Sequence, residues 1–176
     1  DEIKQDNADS RARQLVRVGD ASRAGGDSAS ALAFYQRAQA MRPDWDEPYR
    51  RSGETALALG MAEEAAAAYT RLTALAPDDA AALLGLGQAL IALDRPAEAE
   101  DAFTRAQAAA PKDHRPLNGL GIAHDLSGGH AAAQAFYRQG LALAPDSLSL
   151  KNNLGLSLAL SGAFAEAIRV LGDAAK

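Results

Sequence analysis

The sequence predicts an all-α chain, a superhelical solenoid of about five helix–turn–helix repeats with a 34-residue period. Three observations predict it. Pro43, Pro77, Pro111 and Pro145 follow one another at 34-residue intervals, and so do Gly19, Gly53, Gly87, Gly121 and Gly155. Ala31, Ala65, Ala99, Ala133 and Ala167 keep the interval in another phase, with Tyr35, Tyr69, Phe103, Tyr137 and Leu171 one helical turn later. About a quarter of the 176 residues are Ala and 5% are aromatic. That composition suits closely spaced helices, because Ala is the best helix former and fills little volume.

Each repeat contains a first helix carrying the Gly and a second carrying the Ala. First helices are expected over 10–25, 46–59, 80–93, 114–127 and 148–161, and second helices over 28–41, 62–75, 96–109, 130–143 and 164–174. A Gly inside a helix costs roughly 1 kcal/mol relative to Ala, so the periodic Gly is expected where two helices approach too closely for a larger side chain. The in-phase aromatic shares a face with the Ala. The Pro ends the second helix, since it lacks an N–H and disfavours helix in the preceding residue. Asp46, Asp79, Asp113 and Ser147 are expected to cap first helices. Pro96 suits the first turn of a second helix, and Gly60 and Gly128 suit the turns within repeats. Residues 1–11 form a polar lead-in, of which DEIKQDNAD is expected to be frayed. The array then runs 12–45, 46–79, 80–113, 114–147 and an incomplete 148–176. Such an array behaves as one cooperative solenoid with polar caps at its ends. Ile168 and Leu171 are expected to be partly uncovered, either because a capping segment was trimmed or because a partner or second copy covers them.

Composition narrows function. The net charge of −5 argues against nucleic acid as a partner, and no apolar run reaches the length of a membrane span. Cysteine is absent, which removes disulfides, thiolate zinc sites and thiol catalysis. The chain begins at Asp1 without a signal peptide, which reads as a processed or trimmed product. Any targeting signal or lipid-bearing residue is expected upstream.

No catalytic residue, metal site or cofactor is expected. G-x-S-x-G, H-E-x-x-H and phosphate-loop motifs are missing. His124 and His130 straddle a turn within a repeat, but they read as packing residues rather than ligands. Glu63-Glu64 and Asp78-Asp79 stand at helix starts, where the helix dipole favours acids. Trp45, before the second repeat, also reads as a packing residue.

The 34-residue helix–turn–helix pattern over residues 12–176 resembles the tetratricopeptide repeat. The resemblance implies a right-handed superhelix whose first helices line a concave, non-enzymatic groove for protein or peptide segments. The groove positions of that family fall here on Arg13 and Arg17 in the first repeat and on Arg50, Arg51 and Glu54 in the second. Leu84 and Gln88 follow in the third, Arg115, Asn118 and Ile122 in the fourth, and Asn152, Asn153 and Leu156 in the fifth. Arg can fork to carboxylates. Asn can donate and accept at once, which suits the backbone of an extended peptide. Gly85 and Gly119 leave room for a ligand backbone. The pattern fits a polypeptide with an apolar centre and some acidic content. Alternatively, the charged residues pair with one another across a solvated face. Val16 and Asp20 stand where the co-chaperone clamp of this family needs Lys and Asn, so a clamp for acidic chaperone tails is not expected.

Residues Leu117–Leu171 also resemble TadD, the tetratricopeptide lipoprotein family of tight-adherence (Flp) pilus assembly. The resemblance rests on Asn118-Gly119-Leu120-Gly121 with His124-Asp125, on Gln134 to Leu141, on Asn152 to Ser157, and on Leu158 to Gly162. It implies a pilotin or scaffold at the periplasmic face of the outer membrane. Its partner would be a secretin or another pilus-assembly component, its lipid anchor would lie upstream, and it could oligomerise. The alternatives are a cytoplasmic scaffold or regulator of the same fold, or the repeat portion of a larger enzyme.

Overall fold

A computed structural model describes residues 2–174, with side chains from Asp6 onward. The described residues form ten α-helices and no strand. First helices are α1 (Glu2–Ala24), α3 (Asp46–Ala58), α5 (Ala80–Ala92), α7 (Arg115–Leu126) and α9 (Leu148–Leu160). Second helices are α2 (Ser28–Met41), α4 (Ala62–Leu75), α6 (Pro96–Ala109), α8 (His130–Leu143) and α10 (Phe164–Ala174). The chain divides into two compact bodies, Asp1–Ala89 and Leu90–Lys176.

The periodic Gly residues do what their cost requires. A Cβ on Gly53 would stand 2.8 Å from Tyr69 Cζ, and one on Gly19 would stand 2.6 Å from Tyr35 Cε1. Gly121 meets Tyr137 and Gly155 meets Leu171 in the same way. The in-phase side chain of each of these second helices thus lies against the first helix of its own repeat. The periodic Ala residues, Ala31, Ala65, Ala99, Ala133 and Ala167, are all buried.

Local signals set the helix ends. Ser147 Oγ accepts from Leu150 N–H at 3.4 Å and Asp79 Oδ1 from Ala82 N–H at 3.0 Å, as expected of caps. Pro96 opens α6. Asp46 is a correction, because it lies inside the first turn of α3, where it meets the helix dipole, and Trp45 holds the cap position without a side-chain bond. Asp113 accepts from Arg115 N–H at 2.9 Å, one residue outside the His114 cap position of α7. An unpredicted cap is Asp27, whose Oδ1 accepts from Ser30 N–H at 3.0 Å. Gly60 and Gly128 turn within their repeats at φ 73° and 77°. The matching position of the third repeat is Asp94, held at φ 55°.

The lead-in is also corrected. Residues 2–9, expected to be frayed, belong to α1. Asp9 is tied to Arg42, the cap residue after α2, at 2.5 Å, and Arg42 also binds Asp44 at 3.0 Å. Acidic residues near the start of α1 suit its N-terminus. This charged tie replaces the hydrophobic periodicity that is missing before Ala12.

Candidate functional site

In the N-terminal body, the expected groove residues fall into two groups. Arg50 lies 2.6 Å from Asp79 and within 4 Å of Asp46 and Glu47. Arg51 lies 2.9 Å from Glu47 and 3.4 Å from Asp20, and Glu54 binds Arg23 at 3.3 Å. These three side chains satisfy the intramolecular alternative, paired charges across a solvated face. Arg13 and Arg17 do not. Both are exposed, one turn apart on α1, and neither has a hydrogen bond or ion pair among the described residues. Like charges at that spacing slightly destabilise a helix.

Arg13 and Arg17 line a cleft of about 660 Å³ with Val16, Trp45, Asp6, Asp9 and Ser10. Trp45 packs against the buried cluster of Ala12, Val16, Ala31, Tyr35 and Ala38, as a packing residue should, but it also forms part of the cleft wall. Asp9 is already engaged by Arg42. The cleft therefore offers two guanidinium groups without an acidic partner among the described residues, beside an apolar wall, with Asp6 also in its lining.

Leu84 is buried and presents no side chain to a ligand, while Gln88 is exposed. Gly85 and Gly119, expected to admit a ligand backbone, are instead occupied from within. A Cβ on Gly85 would collide with the Tyr69 ring, and one on Gly119 would stand 2.5 Å from Phe103 Cζ. The reason is geometric: each ring reaches the first helix of the next repeat, and Tyr69 reaches that of its own repeat as well.

In the C-terminal body, Arg115 forks onto Asp113, with Nη2 at 2.6 Å and Nε at 3.0 Å. The guanidinium holds the Asp113 carboxyl below its ordinary range, although partial burial works against it. Asn153 Nδ2 donates to Asn118 Oδ1 at 2.8 Å, and Asn118 Nδ2 reaches Ser149 Oγ at 3.5 Å. These amides join α7 to α9. Ile122 packs against the cluster that includes Tyr137, Leu150 and Leu154. Asn152 and Leu156 remain exposed.

One polar hub was not foreseen. Asp125 accepts from Tyr137 Oη at 2.9 Å and Ser157 Oγ at 2.7 Å, and lies 2.8 Å from His130 Nδ1. Burial pushes the Tyr137 hydroxyl above its ordinary range, and the Asp125 carboxylate adds to the shift. Tyr35 is a smaller counterpart, with burial and a 2.7 Å bond to Asp20 pushing it up to about 12. His124 stacks on Phe136 with ring centres 5.2 Å apart. The two histidines thus have separate partners. No group of three His, Cys, Asp or Glu among the described residues could hold a metal, and no helix among them is long and apolar enough to cross a membrane.

Comparison with known proteins places the fold. The tetratricopeptide repeat family model matches residues 50–114 and 119–176. The chain belongs to that family. No curated protein matches it. Among solved structures, a MamA protein is 24% identical with a TM-score of 0.86, over 93% of this chain and 90% of that one. A thermophilic repeat protein of Thermus thermophilus is 24% identical with a TM-score of 0.70, over 93% and 89%. PilW, described as a type IV pilus biogenesis factor, is 21% identical with a TM-score of 0.79, over 93% and 76%. These likenesses concern the fold. The family is one of protein–protein interaction scaffolds, and no catalytic family is indicated.

Proposed function

We propose that the chain is a docking scaffold that holds an acidic, partly apolar segment of a pilus- or secretion-assembly protein. One observation carries the reading of the ligand. Arg13 and Arg17 are left without acidic partners among the described residues, beside Val16 and Trp45, whereas Arg23, Arg42, Arg50 and Arg51 are paired within the chain. Two guanidinium groups next to an apolar wall match a segment in which a carboxylate adjoins an aliphatic or aromatic side chain. A preformed cleft lowers the ordering cost on the scaffold side.

The pilus setting rests on the resemblance of Leu117–Leu171 to the TadD family. In that setting the chain works at the periplasmic face of the outer membrane, held by a lipid on an upstream segment, and its client is a secretin or a neighbouring assembly protein. The test is a paired capture from an envelope extract of the source cells. Wild-type chain and an Arg13→Glu/Arg17→Glu variant serve as baits, with mass spectrometry as readout. A secretin or pilus-assembly protein retained by the wild type and lost from the variant is expected. Equal recovery on both baits overturns the cleft as the site, and recovery of cytoplasmic clients alone overturns the pilus setting.

A further inference from the structure

Residues 34 positions apart occupy equivalent places in successive repeats, so the surface of α10 can be compared with the other second helices. Ile168 has Leu32, Ala66, Glu100 and Gln134 as counterparts. Gln134 Nε2 donates to Ser157 O at 3.3 Å and Ser161 Oγ at 2.9 Å, both on or just after α9. This position therefore faces the next first helix. Leu32 is 5% exposed, whereas Ile168 is 73% exposed. Leu171 is 40% exposed, although its counterparts Tyr35, Tyr69, Phe103 and Tyr137 are buried. With Phe164, also exposed, these residues form one apolar face at i, i+4 and i+7.

Helix α1 has the complementary open face. Gln14 is exposed where Pro48, Ala82, Pro116 and Leu150 are buried. Val18 is 39% exposed where Ser52, Leu120 and Leu154 are buried, and Ala21 is exposed where Thr55, Ala89, Ala123 and Ser157 are buried.

We propose that α1 of a second copy stacks on α10 as α9 stacks on α8 within the chain. The chemistry favours a copy of this chain. The contact between α8 and α9 sets Gln134 against Ser157 and Ser161. At the joint between copies Ile168 replaces Gln134 and Gly25 replaces Ser161, whose hydroxyl Gln134 binds, while Ala21 stands where Ser157 offers only its backbone oxygen to Gln134. An apolar side chain thus meets an apolar surface where the internal contact is polar on both sides. The interface is head-to-tail, so each added copy leaves one α1 face and one α10 face available.

Sedimentation velocity of the full chain over a concentration series tests this directly. Wild type should grow in mass with concentration, and Ile168→Glu and Val18→Glu should each stay monomeric with unchanged helical circular dichroism. Mixed in equal amounts, the two variants should form a dimer and nothing larger, because only one intact pair of faces remains. Phe164→Glu replaces Ile168→Glu if the latter loses its helical signal. Three outcomes overturn the proposal: a wild type that stays monomeric at every soluble concentration, association that survives both charges, and a mixture that fails to pair. The first would assign the face to a different segment or partner.

Discussion

Ser157, a fully buried residue of α9, donates a 2.7 Å hydrogen bond to Asp125 of α7, joining successive first helices through side chains. A hydroxyl inside a helix ordinarily competes with backbone bonds. Here it donates to a carboxylate that also receives Tyr137 and adjoins His130. Ser157→Ala removes one of those partners without adding volume. We expect a loss of about 2 kcal/mol, the range for a hydrogen bond to a charged group. Urea denaturation checks it, with hydrogen exchange localising the loss to α7–α9. An unchanged midpoint would remove Asp125 as the organising group of that body.

The repeated Gly residues separate by what surrounds them. Gly53→Ala puts a methyl group against the Tyr69 ring at 2.8 Å, and should cost about 1–3 kcal/mol through overpacking. Gly172, inside α10, has nothing within 4 Å of a Cβ. Gly172→Ala should therefore stabilise α10 by up to about 1 kcal/mol through helix propensity. Thermal unfolding of the two variants should shift in opposite directions, and a common sign would contradict the packing role of Gly53.

The helix boundaries after α1 and the close approach at the periodic Gly were legible because both recur every 34 residues, so one physical constraint is written repeatedly along the chain; that the in-phase ring is the group meeting the Gly was not. Asp125 was not legible as a hub. Its partners lie 5, 12 and 32 positions away, and no period of the sequence marks them as a set. The groove was only partly legible. Register made Arg13 and Arg50 look alike as groove residues, but Asp79 lies beside one and no acid among the described residues is paired with the other. Leu84 and Gly85 fit a ligand-facing pattern by position, yet Leu84 is buried and the Tyr69 ring fills the space over Gly85. Periodicity could not extend α1 before residue 10, because an ion pair between Asp9 and Arg42 secures that turn.

Asp94 breaks a series that is otherwise Gly. Gly26, Gly60, Gly128 and Gly162 all adopt positive φ in the turns within repeats, and Asp94 does so at 55° with a side chain that resists it. Asp94→Gly should stabilise the chain by about 0.5–1 kcal/mol, the relief of left-handed strain being partly offset by the freer unfolded chain. Gly60→Asp should cost a similar amount. Both are read as shifts in the denaturant midpoint at constant slope.

Two Asn residues that look equivalent in sequence should behave differently. Asn118 is bonded to Asn153 and Ser149, whereas Asn152 is exposed with no hydrogen bond among the described residues. Asn118→Ala should lower stability by about 1 kcal/mol through loss of the α7–α9 tie. Asn152→Ala should change it by less than about 0.5 kcal/mol, as for an isolated surface position. If Asn152→Ala nevertheless weakens capture of the client, α9 belongs to the contact surface. If capture is unchanged, recognition is confined to the α1 cleft.

Acid should weaken the N-terminal body through Asp79. Burial alone would raise its carboxyl, but the Ala82 N–H and the Arg50 guanidinium outweigh burial and hold it below the usual range. A carboxyl with a depressed folded value binds its proton more weakly when folded. Its stabilising contribution is therefore complete above the unfolded value, near about 4, and fades as pH falls through the lower folded value. Asp79→Asn keeps a side chain able to cap α5 but removes the charge opposite Arg50. The variant should be less stable than wild type at neutral pH by about 1–2 kcal/mol, the scale of a partly exposed charged hydrogen bond. The difference should close in strongly acidic buffer, where both side chains are neutral. Denaturation midpoints for the two proteins, measured from neutral to acidic pH, should converge. Parallel curves would mean that the Arg50–Asp79 pair contributes nothing beyond the cap.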